Sequence, residues 1–419
     1  MSGNELNPDQ LQITSALQAL LRNRIRTDGP MPFSTYMHAC LYEPGLGYYV
    51  NGLSKLGADG DFITAPELST SFANCLATQA AELFRSESFQ DSTGHDILEF
   101  GAGSGRLACD VLKALDQLDS LPERYLILDV SGQLAGMQQE LLSDELEPQL
   151  IKRVHWIQSL PESFSGVVLA NEVFDAFPVE RFTIAQSGAR RLFVDYSPGS
   201  EAEAVDAEAV DAEAVNDEIH DSGGGEFFIT TQPDRGVREA VESLESDLQQ
   251  TFSNGFTSEY CDLLVPWWSS IAEVMQQGLI LICDYGCEQA SYYSASRSEG
   301  TLRCFCRHGV HNDPLVYVGV QDLTADVNFT ALTQAAIDAG FELEGYTPMS
   351  QFMLGNDVLQ HHQATLLDAS DREQIAATGR LKQLLLPQEM GERFMVAGYS
   401  IGLQEPLQGF SLTDWSHLL

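Results

Sequence analysis

Apolar positions along this chain change their spacing near residue 95. Before it, residues 8–28 carry Leu11, Ile13, Leu17, Leu20, Leu21 and Ile25 at helical intervals, and Asp28-Gly29-Pro30 closes the run, so a helix is predicted there. Residues 31–70 are rich in Gly, Pro and aromatics and predict loop with a short helix, and 71–86 turn helical again. After residue 95, short apolar runs alternate with helical stretches. The pattern predicts strands at 96–100, 125–130, 154–157, 166–170 and 279–284, with helices at 107–118 and 131–145. Alternation of this kind implies an α/β fold, a mostly parallel sheet with helices on both faces.

Roughly 100 residues separate the fourth and fifth strands, far more than one crossover helix needs. The expected organisation is an N-terminal helical, lid-like segment (1–90), a discontinuous core (91–180 and 278–419) and an inserted α+β subdomain (181–277). In the insert, strands are predicted at 181–184, 191–196 and 226–230, and helices near 235–250 and 258–277. It contains three pentads, Glu201-Ala202-Glu203-Ala204-Val205 and two copies reading Asp-Ala-Glu-Ala-Val. Residues 201–221 hold nine acidic side chains and no Lys or Arg, so residues 199–225 are expected to form a disordered acidic loop.

Composition narrows the function classes. Lys and Arg number 22 against 61 Asp and Glu, a net charge of −39, which disfavours nucleic acid and an anionic membrane surface as partners. Apolar residues make up 44%, enough for a sizeable core. Eight Cys are too sparse for a disulfide scaffold, and residues 1–12 lack the pattern of a signal peptide, so a protein of the reducing cytoplasm is expected.

The chemistry concentrates after the first strand, in Glu99-Phe100-Gly101-Ala102-Gly103-Ser104-Gly105. Glycines between a strand and a helix let a ligand approach the backbone. A dinucleotide fingerprint would need its third glycine at 106, which is Arg. The spacing is instead similar to motif I of class I S-adenosylmethionine (AdoMet) methyltransferases, a Rossmann-like fold. Asp129 ends the second strand 24–28 residues after the glycines, where a carboxylate can accept both ribose hydroxyls. Gln158 and Ser159 end the third strand and are candidates to face adenine.

The fourth strand ends in Asn171-Glu172-Val173-Phe174-Asp175. Ligands of open parallel sheets sit at the carboxyl ends of strands. Glu172 and Asp175 are three apart and would share a face on a helical turn, two carboxylates suited to a guanidinium. The competing reading is a pair of helix N-terminal acids complementing a dipole.

These motifs occur with others: Pro32-Phe33-Ser34, Tyr36-Met37, Leu41-Tyr42, Pro44-Gly45, Gly47-Tyr48-Tyr49, the run Gly60 to Ser69, Asp284-Tyr285-Gly286, Gly300-Thr301-Leu302-Arg303, His308 and the run Asp322 to Phe329. Together they make the chain resemble the MidA family of AdoMet-dependent methyltransferases, which includes a protein arginine methyltransferase. The resemblance implies a class I fold with an N-terminal lid and an insertion, AdoMet as cofactor, Phe62 and Thr64 near it, and Asn171, Glu172 and Asp175 facing the acceptor. His308 is either an active-site group or a loop histidine. The family often has Glu where Asp129 stands and Asp where Asn328 stands.

The expected partner is a basic, arginine-containing protein substrate, a respiratory-complex subunit being one candidate, and a homodimer is one candidate assembly. A non-catalytic AdoMet-binding assembly factor and a small-molecule methyltransferase are the alternatives. Cys283, Cys287, Cys304, Cys306, His308 and His311 lie close in sequence, but the Cys-x₂-Cys spacing of a zinc knuckle is absent and no metal is expected. Trp267-Trp268 is expected in the core of the insertion.

Overall fold

The alternation that starts at residue 96 becomes one central sheet. The computed structural model describes residues 6–53, 64–89, 94–198, 225–307, 309–367 and 369–419. The main strands of the sheet are β1 (Asp96–Phe100), β2 (Tyr125–Leu128), β3 (Val154–Ile157), β4 (Phe164–Asn171), β5 (Met275–Cys287), β6 (Glu342–Pro348) and β7 (Phe394–Ile401). Their spatial order is β6-β7-β5-β4-β1-β2-β3. From β5 to β3 every pairing is parallel, whereas β7 runs antiparallel to both β5 and β6. The chain leaves β1 toward β2 and β3, then returns to lay β4 on the other side of β1. That reversal opens a crevice beyond the carboxyl ends of β1 and β4, where such sheets bind ligands.

Both faces of the sheet are buried, so its central strands are continuously apolar. Successive side chains still point to opposite faces. Leu279, Leu281 and Cys283 join the core that includes the helices Thr70–Arg85 and Arg106–Gln117. Ile280 and Ile282 join the core under the helices Leu264–Val274 and Phe329–Asp338. Trp268, fully buried, packs with Phe341 and Tyr399 in this second core. It is therefore a core residue of the central sheet and not, as expected, of the insertion.

Other sequence expectations also shift. β6 and β7 are not signalled by the alternation. β6 is an edge strand whose start is partly exposed, and the two strands are separated by helices, among them Val358–Leu366 and Asp371–Leu385. The single helix expected near 258–277 divides into a strand, Thr257–Tyr260, a helix, Leu264–Val274, and the first residues of β5.

A second, antiparallel sheet orders Met31–Pro32, Gly188–Ser197, Glu180–Ala185 and Thr257–Tyr260, with Glu226–Pro233 also on Gly188–Ser197. The N-terminal segment thus adds a strand to the inserted sheet. A small third sheet centres on Arg303–Cys306, flanked by Gly309–His311 and Asp322–Thr324. The expected acidic loop falls outside the described residues except for Gly225. Among the described residues, no helix is long and apolar enough to cross a membrane.

Candidate active site

The glycine turn after β1 adopts backbone angles that side chains rarely take: φ is +62° at Gly101, +54° at Gly103 and +87° at Gly105. Gly105 caps the helix Arg106–Gln117 in the left-handed conformation, and a Cβ there would press at 3.3 Å on the backbone of Gln138. The turn is consequently held close against the next helix, Gly132–Glu145. Glu99, at the end of β1, is buried and accepts a hydrogen bond from the Tyr125 hydroxyl at 2.8 Å. Burial pushes its carboxyl up to about 8.

Asp129 follows β2 and is half-buried. It accepts the Ser131 N–H at 3.2 Å and the Gln138 side-chain amide at 3.0 Å. Gln138, fully buried, is the organising residue that sequence reading missed. Its Nε2 also donates to the Gly103 carbonyl at 3.0 Å, and its Oε1 accepts the Trp156 indole N–H at 2.9 Å. One side chain thus ties the glycine turn, Asp129 and β3 together. Nothing in its local pattern distinguishes it from a surface glutamine on a helix. Gln158 and Ser159 follow β3 and are exposed. Thr64 stands before the short helix Ala65–Leu68. Phe62 and His308 lie outside the described residues.

At the end of β4 the structure corrects the helical reading of the two acids. Glu172 has φ +52°, and residues 171–175 form a tight non-helical turn that runs on to the strand Glu180–Ala185. With no helix following, the dipole-complementing reading loses its basis. The turn is wound around Asp284, which is fully buried in β5. Its Oδ2 accepts the N–H groups of Val173, Phe174 and Asp175 at 3.2, 2.9 and 3.3 Å, and its Oδ1 accepts that of Tyr285 at 2.9 Å. Asp284 follows the apolar run Leu279–Cys283 within β5, so a buried carboxylate without a neighbouring cation was the available signal that it serves backbone donors.

This turn brings Asn171, Glu172 and Asp175 together. The Asn171 amide donates to Glu172 at 3.2 Å, and the Tyr285 hydroxyl donates to Asp175. Burial, reinforced by the nearby Asp175, pushes the Glu172 carboxyl up to about 8. Burial also raises Asp175, to about 6, against the opposing Tyr285 hydrogen bond. Asn171 Oδ1 and Asp175 Oδ1 are buried with no hydrogen-bond partner among the described residues.

N-terminal residues close over both halves. Glu67 accepts from Ser104 in the glycine turn, and the Ala65 N–H helps hold the Glu172 carboxylate charged. The Tyr42 hydroxyl donates to the Ala176 carbonyl at 2.9 Å and its ring stacks on Tyr49, which donates to buried Asp322 at 3.0 Å. Asn328 caps the helix Phe329–Asp338, accepting the Ala331 N–H at 3.2 Å, a structural duty that either Asn or Asp can perform.

The sequence matches a known family. A family model described as "Putative S-adenosyl-L-methionine-dependent methyltransferase" matches residues 75–347, which include the glycine turn, Asp129 and the Asn171–Asp175 turn. The chain belongs to this methyltransferase family. The methyltransferase is 30% identical over 425 residues to human "Protein arginine methyltransferase NDUFAF7, mitochondrial", covering 94% of this chain and 84% of the relative. The mouse protein of that name is also 30% identical, covering 94% and 86%. Among solved structures, a "likely methyl transferase" from Burkholderia thailandensis, bound to S-adenosyl-homocysteine, superposes with TM-score 0.86 at 35% identity over 100% of both chains.

The AdoMet expectation and the class I α/β fold are borne out by these matches. The residues present fit the cofactor: a turn of three left-handed glycines and a half-buried Asp129 fixed by two donors. The cytoplasmic expectation is corrected. The zebrafish, human and fruit-fly relatives are all named as mitochondrial, which points to mitochondria rather than cytoplasm. The expectation rested on low cysteine content, which argues against a disulfide scaffold and carries no cellular address.

Proposed function

We propose that this methyltransferase acts on an arginine of a protein. The observation that carries the reading is the pair Glu172 and Asp175, raised by burial to about 8 and about 6, with Asp175 Oδ1 unpartnered. A guanidinium brings five N–H donors and a positive charge, which together satisfy these oxygens and return both carboxyls to the ionised form. The names of the relatives, protein arginine methyltransferases, agree with it.

AdoMet supplies an electrophilic methyl group on a sulfonium. In the proposed reaction a guanidinium nitrogen forms the new N–C bond as the S–C bond breaks, leaving S-adenosylhomocysteine. Glu172 orients that nitrogen and takes the proton it loses, while Asp175, held by Tyr285, grips the far side. Much of the acceleration is positioning. Gly101, Gly103, Gly105, Glu99 and Asp129 are assigned to the cofactor, with Gln158, Ser159, Phe62 and Thr64 around it; Asn171 and His308 are assigned to the acceptor side. Residues 1–90 are assigned as the lid, supported by the Ser104–Glu67 and Tyr42–Ala176 hydrogen bonds.

The test is transfer of tritiated methyl from AdoMet into host lysate, followed by mapping of the labelled residue. Label on arginine, lost in Glu172→Gln, is the expected result. Label on lysine or only on small molecules refutes the arginine assignment, and binding without any transfer makes the protein a non-catalytic factor. A respiratory-complex subunit is the first acceptor to look for. Sedimentation of the purified protein tests the proposed homodimer.

A further inference from the structure

The motif Gly300-Thr301-Leu302-Arg303 has no part in the site described so far, yet it is built with care. Gly300 has φ +81°, and a Cβ there would fall 2.3 Å from Glu259 Oε2. Glu259, fully buried, accepts the Thr301 N–H and, at 2.6 Å, the Thr301 hydroxyl. Thr301 Oγ1 in turn accepts the Asp326 N–H at 3.0 Å, and the N–H of the preceding Ala325 donates to the Asp175 main-chain carbonyl at 2.9 Å. The corner is therefore tied to the Asn171–Asp175 turn through two hydrogen bonds and the Ala325–Asp326 peptide bond between them.

A cavity of about 350 Å³ lies at this corner, lined by Arg181, Arg297 and Arg303 together with Glu299 and Asn312. Three arginines in one cavity stand out in a chain with 22 basic and 61 acidic residues. Arg297 is paired with Asp326 and Arg181 lies 3.7 Å from Glu259, where its Nε makes no hydrogen bond. Arg303 is exposed and has no carboxylate at ion-pairing distance among the described residues. Glu259, Asp326 and Glu299 balance the three arginines in formal charge, but Arg303, exposed and without an ion-pairing carboxylate among the described residues, is the guanidinium available to a carboxylate.

We propose that the Arg181–Arg297–Arg303 cavity is a specificity subsite that takes an acidic side chain of the acceptor protein, flanking the residue to be methylated. The inference rests on the proposed arginine acceptor. A substrate would then present a cation to Glu172 and Asp175 and an anion to Arg303, a charge pair that a uniformly basic segment does not offer. Arg303 would act on substrate affinity and not on methyl transfer itself.

The test uses synthetic peptides with one central arginine flanked on either side by aspartate, alanine or lysine, on the full-length protein with S-adenosylhomocysteine present. Fluorescence anisotropy should show at least 10-fold tighter binding of an aspartate-flanked peptide than of its alanine counterpart, and Arg303→Glu should abolish that preference. Arg303→Ala should give an intermediate loss, and undiminished S-adenosylhomocysteine binding by both variants shows that they are folded. Where transfer is measured, the preference should appear in KM. Equal binding of all peptides, or a preference for aspartate that survives Arg303→Glu, overturns the subsite. Aspartate-selective binding with label on a residue other than arginine would sustain the subsite and reject the arginine acceptor, so the two failures are distinguishable.

Discussion

Replacing Gln138 with leucine removes three hydrogen bonds while nearly preserving volume, and it tests whether the cofactor half of the site is organised from one buried side chain. The bonds run to the Gly103 carbonyl, to Asp129 and from the Trp156 indole, at 3.0, 3.0 and 2.9 Å. A net contribution of about 1 kcal/mol each suggests a loss of about 3 kcal/mol in stability. Asp129 retains the Ser131 N–H but loses its side-chain donor. A hydrogen bond to a carboxylate is worth about 1.5–3 kcal/mol, so the lost orientation should weaken AdoMet binding about 10- to 100-fold. Titration calorimetry with AdoMet and urea unfolding of both proteins measure the two effects separately. Gln138→Glu keeps the length but sets an acceptor against two acceptors, and should bind AdoMet more weakly than the leucine variant above neutral pH. A folded Gln138→Leu protein with AdoMet affinity within twofold of wild type would refute the reasoning.

Three further outcomes follow from the same geometry. Glu172 is pushed from 4.5 to about 8, so the folded protein holds a proton that the unfolded chain releases, and the ionising carboxylate costs stability as pH rises through that window. Methyl transfer should therefore rise toward pH 8, and Glu172→Gln should abolish transfer while flattening the fall of Tm between about pH 5 and 8; a wild-type Tm that climbs over that range contradicts the assignment. Asp284→Ala strips the acceptor from three turn N–H groups and should cost about 3–5 kcal/mol, with Asp284→Asn, which keeps one oxygen, costing clearly less in urea unfolding. Gly103→Val places a β-branched residue at φ +54° in the cofactor turn, so AdoMet binding should be lost by calorimetry, and unchanged affinity would remove the turn from the cofactor site.

Much of the candidate site was legible as positions at strand ends because its residues are contiguous. The glycine turn, Asp129 and the Asn171–Asp175 turn each follow a strand whose apolar run announces it, and strand ends are where this architecture binds ligands. What pattern could not give was the shape of the Asn171–Asp175 turn. A spacing of three suggested a helical face, whereas a positive φ at Glu172 and the buried Asp284 produce a non-helical turn. Asp284-Tyr285 shows no role in the sequence, because the partners of both side chains lie more than 100 residues away.

The sequence alone therefore determined the α/β class, the positions along the chain of the first five strands of the central sheet and the cofactor family, since each depends on local periodicity or on glycines within one short segment. Tertiary structure decided the antiparallel seventh strand, the recruitment of Met31–Pro32 into the inserted sheet, and the work of Gln138, Asp284 and the arginine cavity. The physical reason is that a buried polar group must find its partner wherever the folded chain supplies one, and that partner is set by packing rather than by proximity in sequence.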